Sequence, residues 1–235
     1  MQDFSAAFGL ALGLIVSGDP TLTEIILLSL RVSLSAVVIA CAIGLPLGAA
    51  LAVLRFPGRG GVIVAVNTLM GLPPVVAGLL VYLLLSRSGP LGVLELLYTP
   101  TAMIIAQSVL VTPIVAALTR QVVADLYEEY REQLRSLGLG LWDVVGTLLW
   151  DARYSLLTVA LAGFGRAIAE VGAVIVVGGN INHVTRVMTT TIALETSKGN
   201  LALALALGIV LIGLAVAVNG AVMAVRGTAA RAAYA

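Results

Sequence analysis

The sequence predicts an all-α membrane protein: a polytopic bundle of five transmembrane helices preceded by a short N-terminal helix lying at the interface. Three observations predict it. The 235 residues are 60% hydrophobic and only 11% charged, whereas soluble domains carry about a quarter charged residues; mean hydropathy is +1.09. Apolar runs recur at the length of about 20 residues that a helix needs to cross the hydrocarbon, rather than as the shorter alternating segments of a barrel. One long stretch, 125–153, is polar and holds Asp125, Glu128, Glu129, Arg131, Glu132, Arg135, Asp143, Asp151 and Arg153. A chain that returns to water once at length, and spends its charge there, is read as offering that stretch to a soluble partner that drives a membrane channel.

The same composition excludes other classes. A net charge of +1 gives no electrostatic footprint for nucleic acid. The single Cys41 lies in an apolar run, so it forms no intrachain disulfide and reads as a small buried apolar residue. No basic region precedes the first apolar run, and Asp3 is its first charge, so no cleavable signal peptide is predicted. There is no GxxxxGK[ST] loop, no HExxH and no CxxC, so neither ATP hydrolysis nor a metal site is expected of this chain. The one histidine, His183, falls in a polar loop and reads as a surface residue.

Taken in order, Phe4 to Val16 is apolar but too short to span comfortably. It reads as an interfacial or elbow helix occupying residues 1–17, with a short extra span as the competing reading; Gly9 and Gly13 stand in a small-xxx-small spacing. Ser17-Gly18-Asp19-Pro20 breaks it. The first span lies within Leu22 to Leu54, with Arg31 at the outer interface, and Gly44, Pro46 and Gly48 suit close helix approach and a kink. The second span, about Val62 to Leu85, contains Pro73 and Pro74. Two adjacent prolines free backbone carbonyls, which are tolerated at membrane depth only against protein or a water-filled cavity. This helix therefore either lines a path or is kinked between its neighbours. The third span is about Thr101 to Leu118 with a kink at Pro113, the fourth about Ser155 to Val177, and the fifth Leu201 to about Val225. Residues 18–225 make up the membrane domain and 226–235 a tail.

Within the polar stretch, Glu128 to Leu137 favours helix, Gly138 and Gly140 supply a break, and Val144 to Trp150 gives a second short helix. Leu139, Leu141 and Trp142 fall at the tip of this hairpin, as a knob for a partner's cleft. Five spans fix an alternation and the Lys/Arg bias fixes its sign. One side collects eight arginines (55, 59, 120, 131, 135, 153, 226 and 231); the other collects Arg31, Arg87, Arg186 and Lys198. The polar loop and the C-terminus are thereby expected in the cytoplasm. Asn180 to Asn200 then faces outward, with a short helix at Met188 to Leu194.

Arg166 and Glu170 stand i, i+4 in the fourth span and are expected on one helix face. Intramembrane charges are costly and face the bundle interior or a water path. Two readings stay open: a mutual ion pair holding the bundle together, or a gate at which Arg166 offers transient donors to an anion.

Three stretches carry a resemblance. Glu132 to Gly138, with Leu148 further on, resembles the E-A-A-x-x-x-G loop of ATP-binding-cassette importer permeases; Gln133 and Leu134 replace its alanines, and Trp150-Asp151 its final Leu-Pro. Gly71-Leu72-Pro73-Pro74-Val75-Val76-Ala77-Gly78 and Ser88-Gly89-Pro90-Leu91-Gly92 resemble the second core helix of molybdate and tungstate permeases. Phe164-Gly165-Arg166-Ala167 with Glu170-Val171-Gly172, ending in Gly178-Gly179-Asn180, is similar to the F-x-R-A-x-x-E-x-G signature and terminal G-N of oxyanion permeases; Thr189 to Thr196 is most similar to the tungstate branch.

The resemblance implies a type I importer core in the plasma membrane, working as a homodimer around a path for a tungstate-like oxyanion. It implies two ATPase subunits, where ATP and magnesium would be bound, and an extracytoplasmic substrate-binding protein; this chain would hold no cofactor. Glu132, Gly138, Leu139, Leu141 and Trp142 would couple to the ATPase. Pro73, Pro74, Arg166, Glu170, Gly178 and Asn180 would line the path or gate. The rivals are an ion-coupled carrier, which calls for paired broken helices in two inverted halves where only the second span carries a double proline, and a membrane-embedded enzyme, for which no cluster of acids or histidines outside the polar loop is visible.

Overall fold

The computed structural model describes residues 4–233, with side chains for residues 6–224. Asp3 and the side chains of Arg226 and Arg231 lie outside the described residues. Among the described residues there are ten α-helices, a single 3-10 turn at Gly92–Leu94 and no strand. The helices are α1 (Phe4–Ser17), α2 (Pro20–Val53), α3 (Arg59–Met70), α4 (Pro74–Leu85), α5 (Pro100–Ser136), α6 (Leu141–Asp151), α7 (Arg153–Ile168), α8 (Gly172–Gly178), α9 (Met188–Lys198) and α10 (Leu201–Ala233). Three of them, α2, α5 and α10, are long and apolar enough to cross a membrane, and five spans result if α3 with α4 and α6 with α7 each count as one bent span.

Helix α1 has 14 residues, about 21 Å at 1.5 Å per residue, short of the roughly 30 Å of hydrocarbon. Its buried face is Ala7 and Ala11, whereas nothing approaches the positions a side chain would take on Gly9 or Gly13. The small-residue packing stripe is thus displaced from the glycines to the alanines. The predicted break follows: Gly18 takes φ 64, and the Asp19 carboxylate accepts from the Leu22 N–H at 2.9 Å, capping α2 with Pro20 in its first turn.

The second and fourth predicted spans are not continuous helices. Residues 71–73 separate α3 from α4. Pro73 has φ −59 and ψ 127 and Pro74 opens α4, where a missing N–H leaves nothing unpaired. The prolines therefore start a helix rather than kink one. The freed carbonyls are used locally: Thr68 and Leu69 accept from Gly71 and Leu72, and Pro73 accepts from Val76 and Ala77. In the fourth span α7 ends at Ile168 and α8 begins at Gly172. The third span runs on unbroken into the polar stretch, so the first half of that stretch is the continuation of α5, 37 residues in all.

The described residues form two units: residues 4–36, 73–107 and 166–217, and residues 37–72, 108–165 and 218–233. In the first, α4 lies directly on α8, because Gly78 has no side chain to hold the helices apart; a Cβ there would stand 2.7 Å from the Ala173 Cα. Helix α9 is packed inside this unit rather than riding on a surface loop. Met188, Thr189, Thr190 and Thr191 are buried, and the Met188 N–H donates to the Ser29 hydroxyl at 2.8 Å. In the second unit, α2 and α5 approach at the predicted glycines: a Cβ on Gly44 would meet the Val115 side chain at 2.8 Å, and one on Gly48 would run into the Ala116 carbonyl. Such close backbone approach is the usual means of gluing helices in lipid.

Candidate functional site

The predicted site residues divide between the two units. Glu132, Gly138, Leu139, Leu141 and Trp142 belong to the second; Pro73, Pro74, Arg166, Glu170, Gly178 and Asn180 belong to the first.

The knob is built from the end of α5 and all of α6. Helix α5 stops because Gly138 takes φ 64, a left-handed conformation costly to a residue with a Cβ. The Leu137 N–H returns to Gln133 and the Gly138 N–H to Arg135, which satisfies carbonyls that helix ends otherwise leave open. Helix α6 begins at Leu141, so Leu141 and Trp142 sit in its first turn rather than in the loop at the tip. Its inner face, Val144, Val145 and Leu148, packs on Ala49, Ala52 and Val53 of α2 and on Val123 and Leu134 of α5. Its outer face carries Trp142, 70% exposed, and Trp150, 73% exposed, with Leu137, Leu139 and Leu141 also exposed. Large exposed apolar groups on a hairpin that also exposes Glu132, Asp143 and Asp151 form the kind of surface that marks a protein contact.

Where the family motif ends in Leu-Pro, this chain turns by another device. Helices α6 and α7 bend by 74° with only Ala152 between them. Arg153 donates to the Trp150 carbonyl at 2.9 Å, and its guanidinium stands 5.2 Å from the Trp150 ring and 4.8 Å from that of Tyr154, within cation–π range. The Asp151 carboxylate, and then Glu129, raise the Tyr130 phenol above its ordinary pKa, a mark of how closely the end of α6 faces α5.

The second constellation centres on Glu170. The Arg166 Nη1 donates to its Oε2 at 2.6 Å, although the two do not share a helix face as expected: Glu170 lies in the gap after α7. Its Oε1 accepts from the Ala173 N–H at 3.1 Å, capping α8, and its carbonyl accepts from the Thr189 hydroxyl at 2.8 Å. The Glu170 side chain is 3% exposed and that of Arg166 37%. The Gln107 amide donates to the Ala167 carbonyl at 3.0 Å, serving another group that the break frees. Pro73 is exposed and Pro74 half-buried at the start of α4, where Val75 meets Gly172; the start of α4 and the start of α8 thus come together.

At the far end of α8, the Gly178 carbonyl accepts from the Thr185 hydroxyl at 2.5 Å, and a Cβ on Gly178 would stand 3.0 Å from Met103. Asn180 takes φ 50, and its Oδ1 accepts from Thr190 at 2.9 Å. The threonines of α9 were not among the predicted site residues, although three in a row before an apolar residue is an unusual signal in a loop. His183 is exposed, as predicted, and lies 2.8 Å from Glu24. A further groove of about 470 Å³ between α5 and α7 carries Gln121, Tyr154, Ser155 and Thr158; these neutral donors do not stand out in sequence.

No group of three or more His, Cys, Asp or Glu residues able to hold a metal occurs among the described residues. Residues 44–226 match the family described as binding-protein-dependent transport system inner membrane component. The chain is 41% identical to a probable anion ABC transporter permease protein of Haloferax volcanii, covering 86% of this chain and 90% of that protein. It is 40% identical to the tungstate uptake system permease protein TupB of Peptoclostridium acidaminophilum, covering 94% and 97%. A sulfate transport system permease protein CysW of Synechocystis is 30% identical, over 70% of this chain and 62% of that protein.

Proposed function

This chain belongs to the family of binding-protein-dependent transport system inner membrane components, and on that premise we propose that it is the permease subunit of an ATP-driven oxyanion importer, with tungstate as the first substrate and molybdate or sulfate after it. The observation that carries the substrate class is the 40% identity, over nearly the whole length of both chains, to a tungstate uptake permease. The Arg166 to Gly172 signature and its geometry around Glu170 agree with it. The predicted scarcity of broken helices no longer counts against an ion-coupled carrier, because the fourth span is broken too; family membership decides instead.

The need for ATP follows from magnitude. A dianion entering a cell that is negative inside climbs about 2.3 kcal/mol per charge per 100 mV, roughly 4.6 kcal/mol in all. Each tenfold accumulation adds about 1.4 kcal/mol. A standing pore would let the anion out, so the membrane domain works by opening to one side at a time. Two copies enclose the path, two ATPase subunits grip the α6 knobs from the cytoplasm, and an external binding protein delivers the anion. The C-terminus is cytoplasmic, and residues 1–17 lie on the membrane as an elbow.

Roles within the chain follow. Trp142, Leu141 and Leu139 enter the ATPase cleft while Glu132 and Gly138 hold the hairpin's shape. Pro73, Pro74, Arg166, Glu170, Gly178 and Asn180 form the path-side framework, with Glu170 as a rigid brace rather than a binding group. The neutral donors Gln121, Ser155 and Thr158 suit a path that must release what it touches.

The test is uptake by the assembled transporter with Glu132→Lys or Gly138→Asp. Both variants insert into the membrane and hydrolyse ATP without importing the anion. Full uptake by either removes the hairpin from the mechanism.

A further inference from the structure

A pocket of about 290 Å³ in the second unit lies beside the end of α2 and the polar half of α5. Its charged lining is Arg55, Arg59 and Arg131 against one carboxylate, Glu128, with the Tyr127 phenol beside them. Arg59 is spoken for in part: its Nε donates to the Leu51 carbonyl at 2.8 Å and its Nη2 to that of Ala52 at 3.4 Å, closing the last turn of α2. Among the described residues Arg55 and Arg131 have no such engagement. Among the described residues no carboxylate pairs with any of the three arginines, Glu128 included. Arg59 and Arg131 are nevertheless half-buried.

Three guanidinium groups around one small pocket repel one another, and the surplus over the single carboxylate invites an anion. Guanidinium forks match the oxygens of a tetrahedral oxyanion better than any other side chain does. The place selects the source. Helix α2 carries no charge from Val32 to Val53 and Arg55 follows, whereas the apolar run of α5 ends at Leu118, with Arg120, Gln121 and Asp125 beyond it. If α2 is a span, the pocket opens at the level where it leaves the hydrocarbon, beside the exposed Phe56 ring. Phospholipid phosphates lie at that level, and a juxtamembrane basic cluster attracts the anionic ones.

We propose that Arg55, Arg59 and Arg131 form a binding site for a phosphate group, supplied by an anionic phospholipid. Only the leaflet rests on the proposed orientation of the permease, which makes it the cytoplasmic one. The bound headgroup would neutralise the cluster and tie the end of α2 to the root of the knob.

The test uses the purified full chain in neutral detergent, stripped of lipid and titrated with phosphatidylglycerol. Phosphatidylcholine serves as the uncharged comparison, inorganic phosphate as a separate arm, and binding is read by native mass and by thermal midpoint. Phosphatidylglycerol is expected to bind more tightly than phosphatidylcholine. Arg55→Gln and Arg131→Gln each weaken it about fivefold, the share of one interfacial cation. Glu128→Gln strengthens it by a similar factor, a gain that no misfolded variant can imitate. Binding of inorganic phosphate that responds to the same three substitutions upholds the site and assigns it to a free oxyanion. Binding of both ligands that ignores all three overturns it, and if the arginine variants then lose the ATPase subunit on purification, the cluster belongs to that protein contact. No step of this test involves transport, so its failure leaves the permease function standing.

Discussion

The Oε2 of Glu170 accepts from the Arg166 guanidinium at 2.6 Å while its Oε1 accepts from the Ala173 N–H at 3.1 Å. One carboxylate therefore ends α7 and begins α8. Removing the arginine leaves a charge that is 3% exposed without its counter-ion, and buried pairs broken on one side cost about 3–5 kcal/mol. Arg166 is partly exposed, so solvent screening brings the expected cost of Arg166→Met below that range, to about 2 kcal/mol. Glu170→Gln keeps an acceptor for Ala173 and is expected to cost about 1 kcal/mol. Thermal midpoints of the purified variants check the order; a glutamine variant less stable than the methionine variant would contradict it.

The α2–α5 contact gives a steric prediction. A Cβ on Gly48 runs into the Ala116 carbonyl, a backbone atom that cannot rotate away. Gly48→Ala is expected to destabilise by about 2 kcal/mol, as overpacking does. Gly146 in α6 meets nothing within 4 Å, and Gly146→Ala should gain about 0.5–1 kcal/mol from helix propensity alone. Denaturation of the two alanine variants side by side tests this, since equal shifts would mean that propensity and not contact governs both.

At Gly138 the constraint is conformational. Its φ is 64 and open space surrounds it, so Gly138→Ala should cost about 1–2 kcal/mol through the left-handed backbone alone. Gly138→Asn should lose less, because asparagine tolerates that region. Hydrogen exchange at the α5–α6 junction reports the loss directly; an asparagine variant that opens as readily as the alanine one would refute the assignment.

Much of this fold is legible in the sequence, and the exceptions have physical causes. The capped start of α2, the glycine approach to α5 and the left-handed stop at Gly138 follow from local rules about Asp19, Gly44, Gly48 and Gly138. The double proline announces the break before α4, but the break at Glu170 has no such signal, because an apolar window of span length does not say whether its helix is continuous. At Glu170 the decisive partner, Thr189, is 19 residues away, and nothing near Glu170 announces it. Distance in sequence also hid the burial of α9: a threonine-rich segment reads as polar until its hydroxyls are matched to Glu170, 19 residues away, and Asn180, 10 residues away. Leu141 and Trp142 were placed at a loop tip because helix ends are the least certain part of any pattern.

Glu195 supplies a pH prediction. Its hydrogen bond from Lys198 at 3.0 Å, then one from Asn200 at 3.0 Å, hold its carboxyl below the ordinary carboxylate value, burial opposing them. A depressed folded pKa means that the stabilisation is present above the unfolded value of 4.5 and is lost as pH falls through the lower, folded value. Glu195→Gln should therefore flatten the fall in thermal midpoint below about pH 4.5. Parallel acid limbs for the variant and the parent would contradict it.

The knob's outer face should matter for assembly and not for folding. Trp142 is 70% exposed, so Trp142→Ala is expected to change stability by less than about 0.5 kcal/mol. Loss of a central aromatic anchor commonly costs 2 kcal/mol or more of binding, about thirtyfold, which co-purification or titration with the ATPase subunit would register. An unchanged affinity would move the docking surface elsewhere.

Uptake of radiolabelled tungstate into vesicles holding this chain, its ATPase subunit and the binding protein tests the whole account most directly. Accumulation should require ATP and all three proteins, and should vanish with Trp142→Ala while the vesicles stay sealed. Accumulation by this chain alone, or at full rate without ATP, would contradict it.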